Sequence, residues 1–103
     1  MIEMQVEKLV TQAGRAEDFL KALANRHRLM ILCELHKGER SVGALQDAVG
    51  LSQSALSQHL ARLRADGLVK TRREAQTIHY GLASREAERI IALMYEMFCH
   101  NDC

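Results

Sequence analysis

A chain of 103 residues, 48% of them hydrophobic, has room for one domain with a modest core, and a net charge of +1 says little by itself about partners. No apolar run reaches the length of about 18 residues that a membrane span needs. The N-terminus carries Glu3 and lacks a basic stretch ahead of an apolar one, which argues against a secretory leader; the expected location is cytoplasmic, with no membrane partner.

In chain order, residues 2–13 read as an amphipathic helix with Ile2, Val6, Leu9, Val10 and Ala13 at helical spacing, ended by Gly14. Residues 16–24 form a second, carrying Phe19, Leu20 and Leu23. Asn25 is the N-cap of a third helix over 26–36, whose LMILCEL stretch is apolar nearly all round and is expected to be buried on most sides. Ser41 caps a short helix over 42–49, and Gly50 ends it. Ser52 caps the next, which runs to Ala65, with Leu51 stapled to Leu56; Asp66-Gly67 stops it. Two β-prone runs, LVKTRRE and QTIHYGL, turning over residues 74–76, read as a hairpin whose turn lacks an Asn-Gly or Asp-Gly signal, so its register stays open. Ser84 caps a last helix through about Cys99, where Ile90, Ile91, Leu93, Met94, Met97 and Phe98 make an apolar face wider than one core contact needs.

This order predicts a mainly α fold with a two-stranded β-hairpin wing, a winged helix-turn-helix. It is expected as one domain over 1–103, with the helix-turn-helix at 42–65 and the wing at 68–82. A chain this small buries only about 65% of its unfolded surface. The surplus apolar faces of 2–13 and 84–99 are therefore assigned to the interface of a homodimer.

The segment SQSALSQHLARL, residues 52–63, has two faces. Leu56, Leu60 and Leu63 hold it on the core, while Ser54, Ser57, Gln58 and Arg62 project away. No acidic residue lies between Val49 and Asp66. Small hydroxyls and first-turn N–H groups suit phosphates, Gln58 suits an adenine edge, and Arg62 a guanine edge or a phosphate. The bland alternative is an amphipathic helix with a solvated polar face. Against it stand the short turn before this helix and the basic hairpin after it, where Lys70, Arg72 and Arg73 suit phosphates beside the groove. Residues 51–82 hold five cations against two acids, a local excess in a near-neutral chain. The expected DNA-contacting set is Ser52, Gln53, Ser54, Ser57, Gln58, Arg62, Lys70, Arg72 and Arg73, and the expected partner is double-stranded operator DNA. His59 sits between the faces and reads as a packing residue.

The stretches ALANRHRLMILCEL and SVGALQDAVGLSQSALSQHLARLRADGLVKTRREAQTIHYGL resemble the arsenic-repressor (ArsR) family of dimeric bacterial repressors, over about residues 16–99. ILC, SQSALSQHL and REAQTIHY, with a cysteine near the end of the last helix, resemble its persulfide-sensing branch, typified by BigR, SqrR and HlyU. That resemblance implies a sensing pair at Cys33 and Cys99, with reactive sulfur species (persulfide or polysulfide) as inducer. The two ligand sets best known from metal-sensing relatives are missing: SVGALQDAV has no Cys-x-Cys, and 84–97 has neither Asp nor His.

Three cysteines are too few, and odd in number, for a disulfide framework. Read plainly, Cys33 is a small buried hydrophobe, Cys99 a thiol on a helix end and Cys103 incidental. The sharper reading joins Cys33 to Cys99 across packed helices, with His36 and His100 favouring a thiolate. The runner-up is a zinc- or copper-responsive repressor built on CHNDC, using Cys99, His100, Asp102 and Cys103 with Cys33. An enzyme using either thiol as nucleophile finds no acid–base cluster, phosphate loop or cofactor motif. A regulator that displaces another repressor shares all of this chemistry.

Overall fold

The structure, a computed structural model, describes residues 5–99. Six helices and a small sheet follow in the order α1 (Val6–Thr11), α2 (Ala13–Leu23), α3 (Arg26–His36), β1 (Arg40–Ser41), α4 (Val42–Val49), α5 (Gln53–Ala65), β2 (Val69–Glu74), β3 (Thr77–Leu82) and α6 (Arg85–Cys99). The expected mainly helical winged helix-turn-helix is present.

Capping follows the local chemistry. Asn25 Oδ1 accepts from the N–H groups of His27 and Arg28, at 2.9 and 3.1 Å. Ser41, Ser52 and Ser84 each accept from the N–H three residues on. The break between the first two helices lies at Gln12 and not at Gly14, which is the second residue of α2. A glycine in open space on a helix surface lowers helix propensity by about 1 kcal/mol, which neighbouring turns can carry.

The core collects Ile31, Leu32 and Leu35 of α3, Leu45 and Val49 of α4, Leu56, Leu60 and Leu63 of α5, Leu68 and Val69, and Ala87 and Ile91 of α6. Contrary to the sequence expectation, α3 is buried along one face only: Met30 and Cys33 are exposed. No residue of α1 is buried, and Val6, Leu9, Val10, Leu93, Met97 and Phe98 are exposed apolar side chains on the two terminal helices.

The wing has three strands, not two, in the order β1-β3-β2. The hairpin register runs from Val69↔Leu82 to Glu74↔Thr77, leaving Ala75-Gln76 as a two-residue turn with Ala75 at φ 55°. β1 adds Arg40↔Tyr80 and Ser41↔His79. Two residues cannot display a period in sequence, so β1 was not foreseeable from pattern.

Candidate nucleic-acid interface and thiol pair

Gly50 ends α4 at φ 69°, a left-handed conformation costly for any residue with a Cβ, and Gly50-Leu51-Ser52 turns the chain into α5. Leu56, Leu60 and Leu63 are buried, and this sets which side of α5 faces out. Ser52, Gln53, Ser54, Ser57, Gln58 and Arg62 are all exposed, together with Ala61. Ser52 Oγ is committed to the Ala55 N–H at 3.1 Å, so it acts locally as a cap. Arg62 Nε lies 3.3 Å from Asp66 Oδ2, one turn on, and the side chain remains half exposed. His59 turns inward against His27, with ring centroids 5.8 Å apart, and its pKa is held below the usual range by burial, then by Arg28 and His27.

Strand alternation sorts the wing's cations. Thr71 and Arg73 pair with Tyr80 and Ile78, and Tyr80 joins Ser57, Ala61 and Arg64 in lining a shallow depression against α5. Lys70 and Arg72 fall on the opposite face, across from Gly81 and His79. There Arg72, expected on a phosphate, is paired within its own chain. Its Nη2 and Nε donate to Glu39 Oε1 at 2.9 and 3.1 Å, and its Nη1 lies 3.6 Å from Glu74. The Arg72 hydrogen bonds hold the Glu39 carboxyl below the usual carboxylate range, and Glu39 in turn raises Arg72. Among the described residues, Lys70 and Arg73 enter no ion pair.

Helix α6 packs against α3, bringing the helix that ends in Cys99 alongside the one that carries Cys33. Cys33 is exposed and Cys99 half-buried, which corrects the plain reading of Cys33 as a buried hydrophobe. Its thiol pKa is nevertheless raised, first by partial burial, then by the charge of Cys99 and by Glu34, with Lys37 pulling the other way. Among the described residues, His36 is not one of the groups that set this shift. His100, Asp102 and Cys103 lie outside the described residues. Among the described residues, no three His, Cys, Asp or Glu side chains are grouped closely enough to hold a metal.

A family model described as "Bacterial regulatory protein, arsR family" matches residues 25–71. The transcriptional activator HlyU of Vibrio cholerae is 50% identical over 96 residues, spanning 93% of this chain and 89% of that protein. The chain belongs to the arsR family of bacterial regulatory proteins. It is thus a transcriptional regulator with a DNA-binding winged helix, not an enzyme. Within the arsR family, reduced HlyU from Vibrio cholerae superposes with a TM-score of 0.85, covering 90% of this chain and 98% of that one. The transcriptional repressor BigR from Xylella fastidiosa gives 0.87 at 38% identity, over 93% and 98% of the two chains. A homodimeric winged helix-turn-helix domain from Mycobacterium bovis gives 0.77 at 33% identity, over 100% and 98%.

Three residues of this arsR-family chain escaped the sequence reading. Arg28, buried near the start of α3, donates from Nε to the Ala22 carbonyl at 2.6 Å and from Nη2 to the Lys21 carbonyl at 3.1 Å, tying the end of α2 to α3. Its only sequence signal is a cation on the buried stripe with Ile31, Leu32 and Leu35. His27 presents a buried Nδ1 with no hydrogen-bond partner among the described residues. Glu39 lies 33 positions from Arg72 and carries no local signal.

Proposed function

We propose that this chain is a homodimeric repressor acting in the cytoplasm. It binds operator DNA in its reduced dithiol form and releases it when reactive sulfur species bridge Cys33 and Cys99. The observation that carries the reading is the packing of α3 on α6, with the charge of Cys99 felt at Cys33. The exposure of Cys33 adds the access that reaction requires. Its raised pKa keeps it a thiol at neutral pH, which slows adventitious oxidation as well as sensing.

The chemistry balances. The Cys33 thiolate attacks an inner sulfur of a tetrasulfide, HSSSSH, and expels hydrodisulfide. The persulfurated Cys33 then carries Sγ–S–SH. The Cys99 thiolate attacks its middle sulfur and expels hydrosulfide, leaving Cys33–S–S–S–Cys99. The polysulfide is reduced as the two thiols are oxidised, and both thiol protons end on the released sulfides. Each inserted sulfur adds an S–S bond of about 2 Å, so a pair held slightly too far apart for a direct disulfide closes through the longer bridge.

The operator is read by α5, with Gln53, Ser54, Ser57, Gln58 and Arg62 toward the groove, Ser52 capping at its entrance, and Lys70 and Arg73 of the wing on neighbouring phosphates. The exposed apolar side chains of α1 and α6 support the homodimer. Six residues of α1 burying nothing within the protomer are too short to hold a helix alone. A bridge from α3 to α6 shifts an interface helix and with it the spacing of the two recognition helices; a coupling of about 1–3 kcal/mol corresponds to roughly 5–150-fold in affinity.

The test is DNA binding by reduced, polysulfide-treated, peroxide-treated and zinc-loaded protein in parallel, with mass spectrometry of each. A Cys33–Cys99 link with added sulfur, accompanied by DNA release and absent from Cys33→Ser, is the expected result. Release by zinc alone, lost in Cys103→Ser, transfers the sensing role to a metal.

A further inference from the structure

The wing places its most strongly held cation on a carboxylate of its own chain. Arg72 grips Glu39 with two donors, the planar fork geometry that guanidinium otherwise offers to a phosphate. Glu39 reaches it by lying over Gly81: a Cβ built there would sit 3.4 Å from Glu39 Cγ and 3.9 Å from its Oε2, so a side chain larger than alanine would occupy the seat of the carboxylate. Glu74 closes the other side of the guanidinium, with His79 at 3.6 Å from Glu74. Lys70, on the same face, enters no ion pair among the described residues. We propose that Glu39 is an internal competitor for DNA phosphate, occupying Arg72 and removing one cation per protomer from the wing's electrostatic grip. This rests on the wing's role in DNA binding.

The physical reason is counterion release. Each phosphate neutralised adds affinity that is indifferent to sequence and steepens the dependence on salt, with log K falling by about 0.9 per contact for each decade of salt. A cation already neutralised within the protein releases no counterion. Moving Arg72 to a phosphate would also strand the Glu39 and Glu74 carboxylates beside a polyanion, so the pair persists in the complex. Glu39 thereby lowers the sequence-independent share of binding and leaves the α5 contacts to dominate.

A duplex of random sequence is a sufficient probe. Its affinity is measured by fluorescence anisotropy from about 50 to about 200 mM salt for the wild type, Glu39→Gln and the double variant Glu39→Gln/Arg72→Gln. With two protomers per complex, Glu39→Gln is expected to bind more tightly at low salt and to steepen the slope by about 1.8, so that its advantage over wild type shrinks about 12-fold over that range. The double variant is expected to return to the wild-type slope. A Glu39→Gln slope equal to wild type shows that removing Glu39 hands no phosphate to Arg72, and a double variant shallower than wild type by about 1.8 shows Arg72 already on phosphate; either overturns the proposal while leaving the wing's DNA role intact. Absence of salt-dependent binding in all three proteins overturns both.

Discussion

Replacing Arg28 by methionine tests whether the end of α2 is held on α3 by one buried cation. From the first turn of α3 the guanidinium donates to two carbonyls in the last turn of α2, those of Ala22 and Lys21, the latter shared with the Ala24 N–H. Hydrogen bonds to a charged group are each worth about 1.5–3 kcal/mol. Methionine fills most of the volume and removes the cost of keeping a guanidinium out of water, so the low end applies and the loss is about 3 kcal/mol. With an unfolding entropy of about 2.1 cal/mol/K per residue over 103 residues, that lowers Tm by about 14 °C. Arg28→Lys keeps the charge and one donor and is expected to lose about half as much. Calorimetry or thermal circular dichroism at one fixed protein concentration checks both, because subunit association moves Tm with concentration. A methionine variant within about 2 °C of wild type would mean that water serves those carbonyls equally well, and the reasoning fails.

Phe98→Glu sets a charge on the most exposed large apolar side chain among the described residues, at 71%. Sedimentation is expected to show monomers with weakened operator binding, and a dimer of undiminished stability would remove α6 from the interface. His59 titrates below its ordinary value of about 6.5, because burial, Arg28 and His27 disfavour the imidazolium. As pH falls below that value the unfolded chain takes up the proton first, so stability present above it is lost as pH falls through the folded pKa. Tm against pH is expected to be flatter on the acid side in His59→Gln, and an unchanged profile refutes the assignment. Cys99→Ser removes the charge that ranks second, after burial, in raising Cys33. The pH profile of Cys33 alkylation by iodoacetamide is expected to move to lower pH, and no movement would mean that the two sulfurs do not sense each other.

How much was readable in sequence depended on the range of the interaction concerned. Asn25, Ser41, Ser52 and Ser84 cap where their side chains predicted, since a cap reaches only two or three residues along the chain. The leucines of α5 declared its buried face, and with it which serines and glutamines turn outward. The all-round burial expected of α3 failed because apolar composition does not say how many neighbours a helix has. Among the described residues its main neighbours are α2, α4, α5, β3 and α6, and the side of Met30 and Cys33 is exposed.

By itself, then, the order of residues determined the helices, their caps, the αL turn at Gly50 and the acid-free outer face of α5, all set by contacts within about one helical turn. Only the tertiary structure decided which wing cation is already spent on Glu39, that Arg28 fastens α2 to α3, and that the helix bearing Cys33 lies against the helix ending in Cys99. Those pairings join groups as far as 66 positions apart, and no local preference of either residue specifies them. They exist because the leucine-rich core, in closing, carries the helices and the sheet to fixed positions against one another.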